Sequence, residues 1–422
     1  MITSQTWAGK TYGVYGLART GRSVADALTA SGATVHAWDD GAAARDAWAG
    51  KLTDLHAFDP SSLDALVVSP GVPHSAPLFV RASAAGVAVI GDIELFAQAR
   101  VELPRHKVVG ITGTNGKSTT TALIHHILSS AGIPARMGGN IGLPILSQEP
   151  LPDGGVYVLE LSSFQIEITY SLACEIAVLL NITPDHLDRH GTVAAYAAAK
   201  AGLFEMQVAS GLAIVERGAE EAFGILDEAE ATVEFLDDVT TSDQSAWPAL
   251  QGPHNAQNAA AATAVCRALG LDEAAIEAGL LTYPGLPHRM ERIAEKHGVL
   301  YVNDSKATNA TSAAPALAAY PSIHWIAGGL AKTDELGACL PHLGNVRAAY
   351  LIGDAAPLFG RLLEGHTEVH QAGMLDRAVA LAAAAAQPGD TILLSPACAS
   401  YDQFTDYEAR GAAFRAAVEG LA

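Results

Sequence analysis

The segment Gly110-Ile-Thr-Gly113-Thr-Asn-Gly116-Lys117-Ser118 sets three glycines ahead of a lysine and a hydroxyl side chain, the composition of a loop that holds nucleotide phosphates. The run Lys107-Val-Val-Gly-Ile-Thr112 predicts a short strand, and Thr119-Thr-Thr-Ala-Leu-Ile-His-His-Ile-Leu128 predicts a helix. The glycines then fall on a strand-to-helix turn, where backbone N–H groups and the helix dipole are directed at phosphate oxygens. Lys117 would neutralise the outer phosphates, and the Ser118 hydroxyl would coordinate Mg²⁺. The strict GxxxxGK(S/T) template wants glycine at 111, where this chain has isoleucine; the match is a variant with glycines at 110 and 113. A loop that merely turns the chain is the bland alternative, and the Lys-Ser pair with its flanking elements favours ATP or a close relative.

Further chemistry follows. Glu160-Leu-Ser-Ser-Phe-Gln165 succeeds the apolar run Val156-Tyr-Val-Leu159, which puts a carboxylate at the C-terminal end of a strand, where open α/β sheets bind ligands. Glu160 is therefore a candidate Mg²⁺ ligand. Asn181-Ile-Thr-Pro-Asp185-His186-Leu-Asp188-Arg189-His190 closes another apolar strand and sets two carboxylates, two imidazoles and a guanidinium within six residues. A solvated polar loop is the competing interpretation, weaker beside Glu160. Lys200, ten residues after His190 on a predicted helix, reads by spacing alone as a surface lysine.

Nearer the N-terminus, Gly16-Leu-Ala18-Arg19-Thr20-Gly21 follows a strand, and Asp39-Asp40 ends the next one. This resembles a dinucleotide fingerprint with its acidic ribose partner, but the Cβ of Ala18 replaces the middle glycine that lets backbone approach a pyrophosphate. A dinucleotide, a diphosphate-sugar nucleotide and a purely structural turn all stay open here, the sugar nucleotide being favoured. Ser69-Pro70-Gly71-Val-Pro73, after the third strand, is a second ligand-facing loop or a plain turn.

These motifs need elements to hold them. Strands expected at Tyr12–Tyr15, Thr34–Trp38, Ala65–Ser69, Val87–Ile90, Val156–Glu160, Ile176–Ile182, Val299–Val302, Ser322–Ala327, Ala348–Ile352 and Thr391–Ser395 alternate with alanine-rich helical stretches, the pattern of parallel sheets covered by helices. Domain boundaries are expected at 1–93, 94–285 and 286–422, the last beside the Pro284-Gly285-Leu286-Pro287 turn. With 422 residues, the chain has room for two to four domains with ample cores. A net charge of −20 with only 25 Lys and Arg disfavours nucleic acid and anionic membranes and favours small-molecule substrates. The four cysteines, Cys174, Cys266, Cys339 and Cys398, have no metal-ligand spacing and fit a reducing compartment. The N-terminus lacks a basic region followed by an apolar core, and the run Ala378 to Ala386 is too short to span a bilayer. A cytoplasmic location without membrane insertion is expected.

Taken in order, Gly113-Thr-Asn-Gly-Lys-Ser118, Glu160-Leu-Ser-Ser-Phe-Gln165, Asn181-Ile-Thr-Pro-Asp-His-Leu-Asp188, Gly285-Leu-Pro-His-Arg289, Asn303-Asp-Ser-Lys-Ala-Thr-Asn309 and Ser395-Pro-Ala-Cys-Ala-Ser400 resemble the Mur ligases along essentially the whole chain, nearest to the D-glutamate-adding branch. The resemblance implies an α/β protein of three domains: a Rossmann-like N-terminal domain for a UDP-substrate, a central P-loop ATPase-like domain, and a Rossmann-like C-terminal domain for an amino acid. It implies ATP-dependent amide-bond synthesis in cytoplasmic peptidoglycan precursor assembly. D-Glutamate would be joined to UDP-N-acetylmuramoyl-L-alanine through an acyl phosphate, with two Mg²⁺ ions and ATP as co-substrate, by a monomer.

Residue by residue, the resemblance places Gly113, Thr114, Asn115, Gly116, Lys117, Ser118 and Thr119 on the ATP phosphates. His254, Asn255 and Asn258 match adenine-side contacts, Asp304 the ribose contact, and Arg289 a further ATP-binding and catalytic cation. Ser118 and Glu160 would hold the first Mg²⁺, His186 the second. The lysine matching Lys200 is carbamylated in the family, and a carbamate oxygen suits a hard cation. Lys117, Glu160, His186, Lys200 and Arg289 form the implied catalytic set. Arg19, Thr20, Asp39, Ser69, Pro70, Gly71, Asn140 and His186 would bind the UDP-substrate, with Ala18 and Arg19 departing from the commoner residues. Lys306, Thr308, Lys332, Ser400 and Tyr407 would bind D-glutamate; two lysines suit a substrate with two carboxylates. Position 407 is more usually Phe in the family. Two rivals remain: another amide ligase of the superfamily, similar to folylpolyglutamate synthase, which would lack the N-terminal UDP domain, and a non-catalytic nucleotide-binding regulator.

Overall fold

The computed structural model describes residues 1–226, 230–236 and 243–421. The chain forms two compact units, Met1–Asp237 with Ala260–Gly279, and Asp238–Ala259 with Leu280–Ala422.

The first unit carries two sheets. In the first, β1 (Thr11–Tyr15), β2 (Thr34–Trp38), β3 (Ala65–Val68) and β4 (Ala88–Ile90) lie in the order β2-β1-β3-β4, all parallel. Two glycines of the fingerprint-like turn are demanded by packing. Gly16 has φ 101°, and a Cβ there would lie 2.3 Å from Ser69 Oγ; a Cβ at Gly21 would lie 1.7 Å from the Gly16 carbonyl oxygen. Helix Arg19–Ala30 can therefore sit tightly against the end of β1.

The second sheet contains β5 (His106–Thr112), β6 (Ala135–Gly139), β7 (Gly155–Glu160), β8 (Ile176–Leu179), β9 (Leu212–Glu216) and β10 (Thr232–Leu236), in the order β10-β9-β8-β5-β7-β6. The pairs are parallel, with Ile111 opposite Glu160 and Thr112 opposite Leu179. The C-terminal ends of β5, β7 and β8 consequently share one rim. β7 and β8 are buried along their whole length, as the continuous apolar runs of a two-sided parallel sheet require.

The second unit holds β11 (Glu291–Lys296), β12 (Val299–Asn303), β13 (Ile323–Gly328), β14 (Val346–Ile352), β15 (Glu368–Gly373) and β16 (Thr391–Leu394), ordered β11-β12-β16-β13-β14-β15. β11 is antiparallel to β12 and the other pairs are parallel.

The expected strands are present, several with ends moved by one residue; the largest difference is Ile176–Ile182, which ends at Leu179, because Asn181 turns away to bond the phosphate loop. Five strands, β6, β9, β10, β11 and β15, were not anticipated. Four of these are sheet edges, where polar or glycine-rich sequences such as Glu291-Arg-Ile-Ala-Glu-Lys296 carry little apolar signal. All four cysteines are buried and free. Among the described residues, no helix is long and apolar enough to cross a membrane.

Candidate functional site

At the rim of the second sheet, β5 ends at Thr112 and helix Lys117–Ser130 begins five residues later. Gly113 (φ 145°) and Gly116 (φ 85°) take backbone conformations that disfavour any side chain. The loop is held from below by Asn181, two residues past β8: Asn181 O accepts from Thr114 N at 2.9 Å, and Asn181 Oδ1 accepts from Asn115 N at 2.8 Å. Lys117 Nζ folds back to donate to the carbonyls of Gly113 and Thr114, at 2.8 and 2.7 Å. Ser118, at the first turn of the helix, is buried.

Lys200 corrects the surface assignment made from spacing. It is 1% exposed, and its Nζ donates to the same Gly113 carbonyl at 2.9 Å while lying 4.4 Å from the centroid of the Tyr196 ring. Helix Val193–Glu205 is apolar on all sides around it and packs under the loop. Burial, reinforced by the Lys117 charge and opposed by Asp185, drives its pKa well below the ordinary lysine value. The shift favours the neutral amine over the ammonium.

Glu160 ends β7, 2% exposed. Its Oε1 accepts from Asn140 Nδ2 at 3.0 Å, whereas Oε2 is buried with no hydrogen-bond partner. A buried carboxylate oxygen left in this state is costly unless a cation completes it, which fits the proposed Mg²⁺ site. Among the described residues, no three His, Cys, Asp or Glu side chains gather into a metal cage. Mg²⁺ does not require one, since it takes one or two carboxylates together with phosphates and water. His186 is exposed, sits in the left-handed region at φ 51° and lies 4.9 Å from the Phe164 ring. Strain at such a residue persists only where its surroundings impose it.

The first sheet presents Arg19, Thr20, Asp39 and Ser69 to Gly71 at the C-terminal ends of β1, β2 and β3. Asp39 organises the turns, its Oδ2 accepting from Leu17 N at 2.6 Å and Oδ1 from Gly41 N at 2.7 Å. Arg19 Nη2 donates to the Gly142 carbonyl at 2.6 Å, two residues beyond Asn140.

In the second unit, Asp304, Lys306 and Thr308 follow β12, Lys332 follows β13 and Ser400 follows β16, and these strands are neighbours. Lys332 Nζ donates to Thr308 Oγ1 at 3.3 Å, and Lys306 Nζ lies 3.9 Å from the centroid of the Tyr407 ring. The Tyr407 hydroxyl donates to Glu408 Oε1 at 3.0 Å. Buried Asp304 accepts from the Ser395 hydroxyl at 2.8 Å and from Met290 N at 3.2 Å, and burial raises its carboxyl to about 7. Arg289 stands between His288 and Met290, both at positive φ (62° and 47°). Asn258 Nδ2 donates to Asn255 Oδ1 at 3.0 Å, both side chains buried on helix Pro253–Ala268. His254 beside them is half-buried with its Nδ1 enclosed, and desolvation of the ring lowers its imidazole to about 4.

Sequence reading missed Arg410. Only 1% exposed, it donates from Nη2 to the carbonyls of Ser305 (2.8 Å) and Cys398 (3.0 Å), and from Nε to Ser305 Oγ (3.0 Å), tying the Lys306 loop to the Ser400 loop. Its signal was Gly411, where a Cβ would lie 2.1 Å from His288 Nδ1: helix Tyr407–Glu419 must come in close.

The family model described as the Mur ligase middle domain matches residues 111–266, and the one described as Mur ligase, glutamate ligase domain, matches residues 288–398. A protein named UDP-N-acetylmuramoylalanine–D-glutamate ligase from Sphingopyxis alaskensis is 57% identical, covering 100% of both chains. A relative of the same name from Novosphingobium aromaticivorans is 56% identical over 100% of this chain and 97% of its own. Among solved structures, the MurF ligase of Thermotoga maritima in complex with ADP has a TM-score of 0.61 at 15% identity, covering 98% of this chain and 96% of that one. The UDP-N-acetylmuramate-alanine ligase MurC of the same organism gives 0.58 at 17% identity, over 97% and 99%; both speak to the fold alone. With full-length relatives at this identity, two matching family models and the phosphate loop set on a parallel sheet, the chain belongs to the Mur ligase family.

Proposed function

We propose that this chain joins D-glutamate to UDP-N-acetylmuramoyl-L-alanine at the expense of ATP, the activity named for its full-length relatives, in cytoplasmic assembly of a peptidoglycan precursor. The observation that carries this reading is the burial of Lys200 against the Gly113 carbonyl, one residue from Thr114 and four from Lys117. Residues 1–93 would take the UDP-substrate, 94–285 ATP, and 286–422 the amino acid.

A carboxylate oxygen of the alanyl group attacks the γ-phosphorus, the bond to the β–γ bridging oxygen breaks, and ADP leaves. The D-glutamate nitrogen then attacks the acyl carbon, loses a proton, and expels inorganic phosphate as the amide forms. Lys117 and Arg289 offset the negative charge of the triphosphate, and the helix N-terminus at Gly116 orients it. Asn140 fixes the Glu160 carboxylate. Ser118 and Glu160 would hold one Mg²⁺ and His186 a second, with carbamylated Lys200 as a further ligand, and the metal would supply charge neutralisation at the phosphoryl oxygens. Carbamylation joins the neutral Lys200 nitrogen to the carbon of CO₂ with loss of a proton, and the depressed pKa supports it. Arg19, Thr20, Asp39, Ser69 to Gly71 and Asn140 bind the sugar nucleotide; Asn255, Asn258 and Asp304 bind the nucleoside of ATP. Lys306, Thr308, Lys332, Ser400 and Tyr407 receive the dianionic amino acid.

Oxygen transfer tests this chemistry. With the alanyl carboxylate labelled by ¹⁸O, one label should appear in the released phosphate. Phosphate formed without label would exclude an acyl phosphate.

A further inference from the structure

The loop after β3 and the loop after β8 come from different sheets of the first unit, yet one carboxylate and one guanidinium join them. Glu167, just past the helical turn Ser163–Ile166, lies 3.6 Å from Arg189 Nη2, 3.6 Å from His190 Nδ1 and 3.7 Å from His74 Nε2. Arg189 also donates from Nη1 to the Pro70 carbonyl at 3.2 Å, and its guanidinium lies 4.2 Å from the centroid of the Phe164 ring. Side-chain exposure is 13% for Arg189 and 21% for Glu167, so neither reaches freely into water. A planar guanidinium can stack on a ring while serving a carbonyl and a carboxylate at once, which an ammonium cannot do. Phe164 contacts the His186 ring as well, and the Arg189 amide donates to the His186 carbonyl at 3.0 Å. One cluster thus touches both the Ser69–Gly71 loop and the strained turn at His186.

We propose that Glu167 and Arg189 are positioning residues forming a latch: they hold the Ser69–Gly71 loop against the His186 loop, so that seating the sugar nucleotide and aligning His186 depend on each other. This rests on the sugar-nucleotide reading of Ser69 to Gly71 given above. Glu167 follows the Glu160–Gln165 motif by two residues, and motif reading alone passes over it.

The test compares Arg189→Ala, Arg189→Lys, Glu167→Gln and the Arg189→Ala/Glu167→Gln double variant with the full-length wild-type chain. Arg189→Ala should lower kcat/KM for UDP-N-acetylmuramoyl-L-alanine by about 100-fold, as expected for slight misplacement of a reacting assembly. KM for the sugar nucleotide should rise while KM for ATP and for D-glutamate stays within about 2-fold, and the double variant should be no worse than the single, as for two members of one unit. Arg189→Lys should recover part of the loss. Hydrogen exchange is read in parallel because it does not require turnover: amides of residues 69–72 and 186–191 should exchange faster together in Arg189→Ala. An inactive wild type would overturn the functional reading, and the exchange result would still decide the latch. Unchanged exchange in either loop would overturn the latch, as would losses spread equally over all three KM values with a lowered Tm.

Discussion

Lys117 and Lys200 in the first unit meet an environment opposite to that of Lys306 and Lys332 in the second. The first pair is drawn in beneath the phosphate loop, both Nζ atoms donating to the Gly113 carbonyl, with Lys200 almost fully buried. The second pair stays near water, Lys332 exposed beside Thr308 and Lys306 half-buried against the Tyr407 ring. A second positive charge beside Lys117 is disfavoured, and burial with that charge lowers the Lys200 pKa instead. Lysines proposed to receive a free dianion and release the product would need to remain solvated and adaptable, as these do. The buried cation of the second unit is instead Arg410, whose hydrogen bonds go to backbone carbonyls and one hydroxyl and which acts on loop geometry.

The largest expected effect breaks the first side of this contrast. Lys200→Ala should lower kcat by about 1,000-fold or more, the scale of removing a group that acts on transition-state charge. Added short carboxylic acids should restore part of the rate if the lost function is a carboxylate-like metal ligand. Full activity without additive, in a steady-state phosphate-release assay, would contradict the metal role of Lys200.

Glu160→Gln comes next. The amide cannot complete a cation as the buried Oε2 can, so kcat should fall by about 100-fold and the Mg²⁺ concentration for half-maximal rate should rise. An unchanged Mg²⁺ titration would remove Glu160 from the metal site.

On the second side, Lys332→Ala should raise KM for D-glutamate by about 10-fold, the size of one charge-assisted contact, while KM for ATP stays fixed. Equal changes in both would mean that Lys332 does not belong to the acceptor site.

How much of this contrast the sequence shows depends on whether a residue's role is local. The phosphate loop is legible because strand, glycines, lysine and helix are consecutive, and Glu160 because it ends an apolar strand. The burial of Lys200 arises when its helix packs under a loop more than eighty residues earlier; the local hint was a helix apolar on every side. Arg410 and Glu167 are invisible to motif reading for the same reason, since their partners lie far away in the chain. Edge strands such as β11 and β15 escape because partial exposure leaves them polar.

Smaller effects sharpen the picture. The Asp304 carboxyl is raised from 3.8 to about 7, burial first, against the pull of Ser395, Met290 N–H and Arg289. A folded value above the unfolded one means that the ionised carboxyl costs stability, and the cost grows as pH climbs from 3.8 through about 7. Asp304→Asn should therefore raise Tm at pH 8, by about 2–4 °C for each kcal/mol relieved, and leave Tm unchanged at pH 3, while activity falls. A Tm gain of equal size at both pH values would contradict the burial account. Tyr407→Phe should matter least: the hydroxyl donates outward to Glu408 and the ring under Lys306 is kept, so kcat/KM for D-glutamate should change by less than about 3-fold, a single solvent-side hydrogen bond.

The most direct measurement is phosphate release from ATP in the presence of UDP-N-acetylmuramoyl-L-alanine, with D-glutamate, L-glutamate, L-lysine, meso-diaminopimelate or no amino acid. The account predicts sustained release with D-glutamate and background with the others. Release sustained by another amino acid, or none with the full substrate set, would contradict it.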